Sequence, residues 1–294
     1  MTATKEGTSL SIRLRVGTPE DAKECADICY RAFRVVAEKH NFPPDFPSSE
    51  VVATFLSESL AHPAIYGVVA ELDGRILGSN FVDERSIIAG IGPITVDPDV
   101  QNRAIGRELM QHAMDRVANR HFPGVRLVQA AYHNRSLSLY TKLGFAAREP
   151  LSTIQGKPIS IQIPGYTVRP ANADDLSPCN HICMRVHGHN RGGEVHDAIK
   201  RGTATVVEHN SRITGYATAI GFLGHAIGET NEELKALIGA APEFLGPGFL
   251  LPTRNAELFR WCLEHGLRVV QPMTLMSIGL YNEPAGAFLP SVLY

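Results

Sequence analysis

The chain has 294 residues, 44% of them apolar and 20% charged, with a formal charge of −2. That length suits one large domain or two ordinary ones with real cores, and near-neutrality gives no case for nucleic acid or a membrane surface as a partner. No apolar run is long enough to span a bilayer and "MTATKEGTSLSIRLR" has no signal-peptide core, so the expected location is the cytoplasm.

"SIRLRV" reads as a strand. In "TPEDAKECADICYRAF", Thr18 is an N-cap, Pro19 takes the first helical position and acids fill the first turn, as helix starts prefer. "SSEVVATFLSESL" is a second helix, capped by Ser48 or Ser49. "AIYGVVAELDGRILGSNFVD" is a hairpin turning at Asp73-Gly74. "IAGIGPITV" is a further strand with almost no charge, hence buried. After the polar loop "DPDVQNRA", a helix places Leu109, Met110, Ala113, Met114, Val117 and Ala118 on its apolar face. "VRLVQAAY" is a strand, "RSLSLYTKL" a helix, and Gly144 its C-terminal stop.

The second half repeats the first. "LRVGTPEDAKECADIC" and "VRPANADDLSPCNHIC" align without gaps, with Arg15 over Arg169, Asp21 over Asp175 and Cys25 over Cys179. "ELDGRILGS" matches "EHNSRITGY", and "HNRSLSLYTKLGF" matches "NAELFRWCLEHGL", with Gly144 over Gly266 and Tyr140 over Cys262. The second copy is about 32 residues shorter, and the acidic "GETNEELKALIG" stands where the first has its loop and helix. A Pro- and Gly-marked boundary near residues 150 to 165 separates residues 1–155 from 156–294. The five cysteines lack further ligands at zinc spacing and are read as buried thiols; no metal is expected.

The loop "VDPDVQNRAIGRELM" raises the functional question. A helix start exposes unpaired N–H groups and the positive end of the helix dipole. A tight loop of small residues turns those groups on one point, a geometry that holds a phosphate. Arg103 and Arg107 add charge, and Gly106 admits a ligand close to the backbone. An ordinary strand-to-helix turn with two solvated arginines is the other reading of these residues alone.

"ITVDPDVQNRAIGRELM", followed some thirty residues on by "RSLSLYTKLGF", resembles the GNAT superfamily of N-acetyltransferases. The resemblance covers most of residues 10 to 150. It implies an α/β (α+β) fold of two tandem GNAT-like domains, each a mixed, mostly antiparallel sheet flanked by helices, with acetyl-CoA as co-substrate. It also implies that Asn102, Arg103, Ala104, Ile105, Gly106 and Arg107 hold the pyrophosphate and that Ile94, Thr95 and Val96 hold the pantetheine. Tyr140 would be the acid that protonates the leaving thiolate, and His133 or Asn134 would contact the cofactor. Ala104 stands where the family carries its first glycine; if φ there is positive, alanine costs roughly 1 kcal/mol or more.

The base that takes the amine proton is poorly marked. Some relatives carry a glutamate where this chain has Val128; Glu84 and Asp83, at the hairpin end, are the named candidates, beside His133, a water chain and the Tyr294 carboxylate. The second copy lacks the tyrosine and the loop, so it is expected to bind no CoA and to shape the acceptor pocket. The segment "MRVHGHNRGG" (His187, His189, Arg191) either lines that pocket or forms a polar surface loop. The resulting expectation is acetyl transfer to a small-molecule amine, or a protein amine, by direct attack, with homo-oligomers left open. Two alternatives are a non-catalytic acyl-CoA sensor and a nucleotide-binding domain. The second is disfavoured by the lack of both a lysine after the loop and Gly-x-Gly-x-x-Gly.

Overall fold

The computed structural model describes residues 12–101 and 104–293. Asn102, Arg103 and Tyr294, named above for the loop and the base, lie outside them. The chain opens with β1 (Arg13–Val16) and α1 (Ala22–Lys39), joined by a short 3-10 turn in which Thr18 and Asp21 form a capping box. Helix α2 (Ser49–Ala61) follows, then the hairpin of β2 (Ile65–Leu72) and β3 (Arg75–Asp83). Asp73 and Gly74 both take positive φ, +51° and +80°, as a two-residue turn between right-twisted strands requires.

The stretch read as one strand, "IAGIGPITV", is two: β4 (Ile88–Ile91) and β5 (Thr95–Val96). Between them Gly92 has φ +139°, a conformation open to glycine and closed to most side chains. Beyond this break β5 lies on β3, with Thr95 opposite Ser79 and Val96 opposite Gly78. A Cβ on Gly78 would stand 2.5 Å from the Thr95 carbonyl oxygen, so the missing side chain is what admits β5. Helix α3 (Ile105–Asn119) buries Ile105, Leu109, Met110, Ala113 and Val117; Ala118, expected inside, is exposed. Strand β6 (Gly124–Ala130), helix α4 (Asn134–Lys142) and β7 (Ala146–Gln155) complete the first copy, and Gly144 ends α4 at φ +98°.

The second copy repeats this order with β8 (Tyr166–Pro170), α5 (Leu176–His187), α6 (Gly192–Arg201), β9 (Thr205–His209), β10 (Arg212–Ala217) and β11 (Ala226–Gly228). Then come α7 (Asn231–Ala240), β12 (Phe249–Pro252), α8 (Ala256–Glu264), β13 (Arg268–Gly279) and an added β14 (Ala287–Leu289). The repeat extends to side-chain geometry. Arg15 bridges Asp21 and Glu71 at 2.7 and 2.6 Å, and Arg169 bridges Asp175 and Glu208 at 2.7 and 2.8 Å. All five cysteines are free and buried. What the shorter copy omits is the β5 segment and its loop: β11 reaches α7 across Glu229 and Thr230.

The copies do not keep separate sheets. In the larger sheet, of order β1-β2-β3-β4-β6-β13-β7-β12, β13 of the second copy lies between β6 and β7 of the first, and β12 lies outside β7. Each strand that precedes the last helix of one copy therefore pairs with the strand that follows that helix in the other. The smaller sheet runs β14-β11-β10-β9-β8. Pairing is antiparallel throughout the ladders except β4 with β6.

Candidate active site

The parallel pairing of β4 with β6 stops at Gly90 opposite Arg126. Past it, β5 turns to β3 while Leu127 to Ala130 of β6 pair only with β13. The facing edges of β5 and β6 splay apart and leave their backbone groups open to a cleft of about 330 Å³. Ile94, Thr95, Val96, Val128, Gln129 and Tyr140 line it, together with Gln101, Ala104, Ile105, Gly106 and Arg107 at the start of α3.

Asp97 fixes the loop that follows β5. It is 1% exposed, accepts from the Asp99 N–H at 3.1 Å, and pairs with Arg31 at 3.1 Å and Arg75 at 2.5 Å. Burial alone would raise its carboxyl; the Asp99 N–H and the two guanidiniums bring it below its ordinary value. Ala104 is the N-cap of α3, in the left-handed region at φ +63°, ψ 0°. Its carbonyl accepts from Arg107 and Glu108, while the Ile105 and Gly106 N–H groups meet no acceptor among the described residues. Among the described residues, a Cβ built on Gly106 would touch only Val96, at 3.6 Å. The helix start is therefore an open N–H cradle with the positive dipole end behind it. Arg107 is exposed beside it, and Arg135 of α4 donates to Gln101 Oε1 of the loop at 3.2 Å. Arg135 is thus a second cation at the cradle that the sequence reading passed over, although it directly follows Asn134.

Tyr140 is 7% exposed with burial pushing its phenol up to about 12, an effect partly offset by a hydrogen bond with Ser136. Ser136 Oγ lies 2.7 Å from His133 Nδ1, and both residues line the cleft with Tyr140. His133 is half-buried and lines the cleft; burial, then the charges of His40, Arg135 and Lys39, hold it below its ordinary value. Asn134 is exposed and does not line the cleft.

The two carboxylates named from sequence stand elsewhere. Asp83 is held by Arg85, and Glu84 by Arg116 at 2.5 Å and Arg120 at 3.6 Å. Neither lines the cleft, because the end of β3 points its acids at neighbouring arginines of the frame. The one acid among the described lining residues is Asp45, in the loop between α1 and α2. It is 8% exposed, and Gln271 Nε2 donates to its Oδ1 at 2.7 Å. Asp45 sits in "NFPPDFPSS", which carries no motif; its partner is 226 residues away.

Of the second copy, Phe222, Leu223 and Met273 line the cleft, as do Val292 and Leu293 near the end of the chain. His187, His189 and Arg191 do neither of the things expected of them. They are 4%, 1% and 3% exposed and lie outside the cleft, in a buried cluster where Arg191 and His225 meet Glu194 at 2.5 and 3.3 Å.

Residues 32–145 match the acetyltransferase (GNAT) family. No curated protein sequence matches the chain. Among solved structures, a putative acetyltransferase from Pyrococcus horikoshii is 17% identical over 97% of both chains, with a TM-score of 0.75. A GCN5-related N-acetyltransferase from Sphaerobacter thermophilus is 16% identical over 92% of this chain and 96% of its own, with a TM-score of 0.60. A tandem GNAT protein from the clavulanic acid biosynthesis pathway is 14% identical over 92% and 98%, with a TM-score of 0.56. At such identities the likeness carries fold and not substrate. The chain has a tandem GNAT fold, and residues 32–145 of its first copy match the GNAT acetyltransferase family.

Proposed function

We propose that the first copy moves an acetyl group from acetyl-CoA to a primary amine by direct attack in a ternary complex. The observation that carries this reading is that one cleft joins the open N–H cradle at Ile105 and Gly106 to the buried Tyr140 phenol. The diphosphate belongs at the cradle, with Arg107 and Arg135 beside it. The pantetheine belongs between the splayed edges, where the open groups of β5 receive it as an added strand. Amide donors on that edge suit the charge that develops on the thioester oxygen. A phenol that keeps its proton at neutral pH suits the departing thiolate, and Ser136 and His133 supply a route for the proton's return.

Direct attack is favoured over an acyl-enzyme because no cysteine lines the cleft among the described residues. Burial raises the Cys25 thiol to about 12 and moves Cys29 the same way. The second copy is read as non-binding: the Thr230 hydroxyl takes the Glu232 N–H of α7 and Glu233 takes the Thr230 N–H, so the cradle is filled by its own caps. The acceptor is read as a small-molecule amine.

Thiol release from acetyl-CoA across an amine panel tests the reading. Tyr140→Phe is expected to lower kcat by about 10²- to 10⁴-fold while calorimetry finds CoA binding unchanged. Wild-type kcat in that variant removes Tyr140 from the mechanism. Tight CoA binding with no turnover on any amine supports the acyl-CoA sensor, the reading that the strained Ala104 favours.

A further inference from the structure

The remaining walls of the cleft are apolar. Phe33 of α1, Phe46 of the α1–α2 loop and Phe55 of α2 come from the first copy, and Phe222, Leu223 and Met273 from the second. Set into this surface is the Asp45 carboxylate. Its Oδ1 is fixed by Gln271, whose own Oε1 accepts from the Tyr132 hydroxyl at 3.2 Å. Its Oδ2 makes no hydrogen bond among the described residues. In the same cleft Gln129 is 5% exposed and has both amide atoms buried without a hydrogen-bond partner among the described residues. A buried amide left so costs free energy unless a ligand or water meets it. Gln271 and Met273 both lie on β13, the strand that crosses from the second copy into the first copy's sheet.

We propose that this part of the cleft is an acceptor subsite for a primary amine carried on an aromatic or long aliphatic body, and that Asp45 Oδ2 meets the amine and receives its proton. The inference rests on the acyl-transfer reading above. The apolar walls reward apolar area removed from water at about 25 cal/mol per Å². The bases among the described lining residues are Arg107, His133 and Arg135; Arg107 and Arg135 are exposed by the α3 loop, and burial disfavours the charged form of His133, so no buried cation inside the apolar walls would pair a carboxylate on the acceptor. Amino acids and polyamines, which would strand further charges there, are disfavoured.

The proton balance closes. The ammonium gives one proton to Asp45 and becomes a neutral amine. Its nitrogen attacks the thioester carbon, a C–N bond forms and the C–S bond breaks. The thiolate takes the Tyr140 proton, and the surplus N–H proton of the new amide returns to the tyrosinate. Asp45 releases its proton to solvent as product leaves. Burial raises the Asp45 carboxyl above its ordinary value, partly offset by the Gln271 donor, a direction that suits proton acceptance.

The test uses the full chain with phenethylamine, lysine and spermidine as acceptors. Phenethylamine is expected to exceed the other two at least 10-fold in kcat/KM. Asp45→Asn keeps an acceptor for Gln271, so its melting temperature and CoA affinity should match wild type while kcat/KM for phenethylamine falls about 10²-fold or more. Leu223→Arg, at a side chain already 43% exposed, should raise KM with kcat unchanged. A preference for lysine or spermidine, or wild-type kcat/KM in Asp45→Asn, overturns the subsite and leaves acyl transfer standing. Calorimetry of phenethylamine into the CoA-saturated protein separates the converse case. Binding lost in Asp45→Asn with no turnover of any amine keeps the subsite and ends the acyl-transfer reading. Neither binding nor turnover ends both.

Discussion

Ala104 holds a left-handed conformation, φ +63°, with its Cβ crowding the backbone. The expense of such a position for a non-glycine residue is about 1–2 kcal/mol, and the structure places this chain on the costly side of the condition that its sequence posed. Ala104→Gly should therefore raise the unfolding free energy by up to about 1 kcal/mol, less what glycine adds to the entropy of the unfolded chain, and change the CoA dissociation constant little. Urea unfolding and calorimetry check this; an unchanged or lower unfolding free energy would mean that the strain at alanine does not exceed the entropy that glycine adds to the unfolded chain. The places of Tyr140, Gly106 and His133 on the cleft were legible because a short motif surrounds each. Asp83 and Glu84 were plausible by place in the chain, but the ion pairs that hold them depend on where Arg85, Arg116 and Arg120 fall in space.

At the scale of elements, caps and turns followed from local chemistry: Thr18 with Asp21, Asp73-Gly74, and Gly144. The division of β4 from β5 did not, because an apolar run with two glycines and a proline reads equally well as one buried strand. The junction of α5 and α6 shows a different limit. A histidine-rich segment looks solvated, yet His187, His189 and His225 are buried with Arg126, Arg191 and Glu194. Burial, aided by the nearby arginines, holds His189 and His225 down to about 4 and moves His187 in the same direction. The unfolded chain binds these protons near pH 6.5, and the folded chain refuses them until much lower pH. Their contribution is intact above pH 6.5 and falls as pH drops from 6.5 toward 4, by about 1.4 kcal/mol per pH unit for each histidine at most. Denaturant midpoints over pH 7.5 to 4.5 should decline, and more shallowly in His189→Gln; a flat wild-type profile would show that these rings are solvated.

For the whole molecule, the placement of β13 between β6 and β7 joins the two copies in one sheet, and they are expected to unfold together. Residues 1–155 contain β6 and β7 but not the strand that fills the place between them. Alone, that piece would leave two central strand edges unpaired and Asp45 without Gln271. It should aggregate or show no cooperative melt, and co-expression with 156–294 should restore both. A soluble fragment with a sharp melt would show that the first copy closes its own sheet. The same placement puts Met273 at the cleft and Gln271 against Asp45, which lines it, so the second copy contributes to the site through a strand and not only by packing against it.

The order of helices and strands, the repeat, and the loop that meets a helix start were determined by the sequence itself, because caps, turns and periodicity act over a few residues and leave local marks. Which copy owns each strand, which acid faces the cleft, and which histidines lose their water were decided only by tertiary structure. Those outcomes rest on pairings such as Asp45 with Gln271, across 226 positions, and hydrogen bonds at that range impose no pattern on the residues next to them.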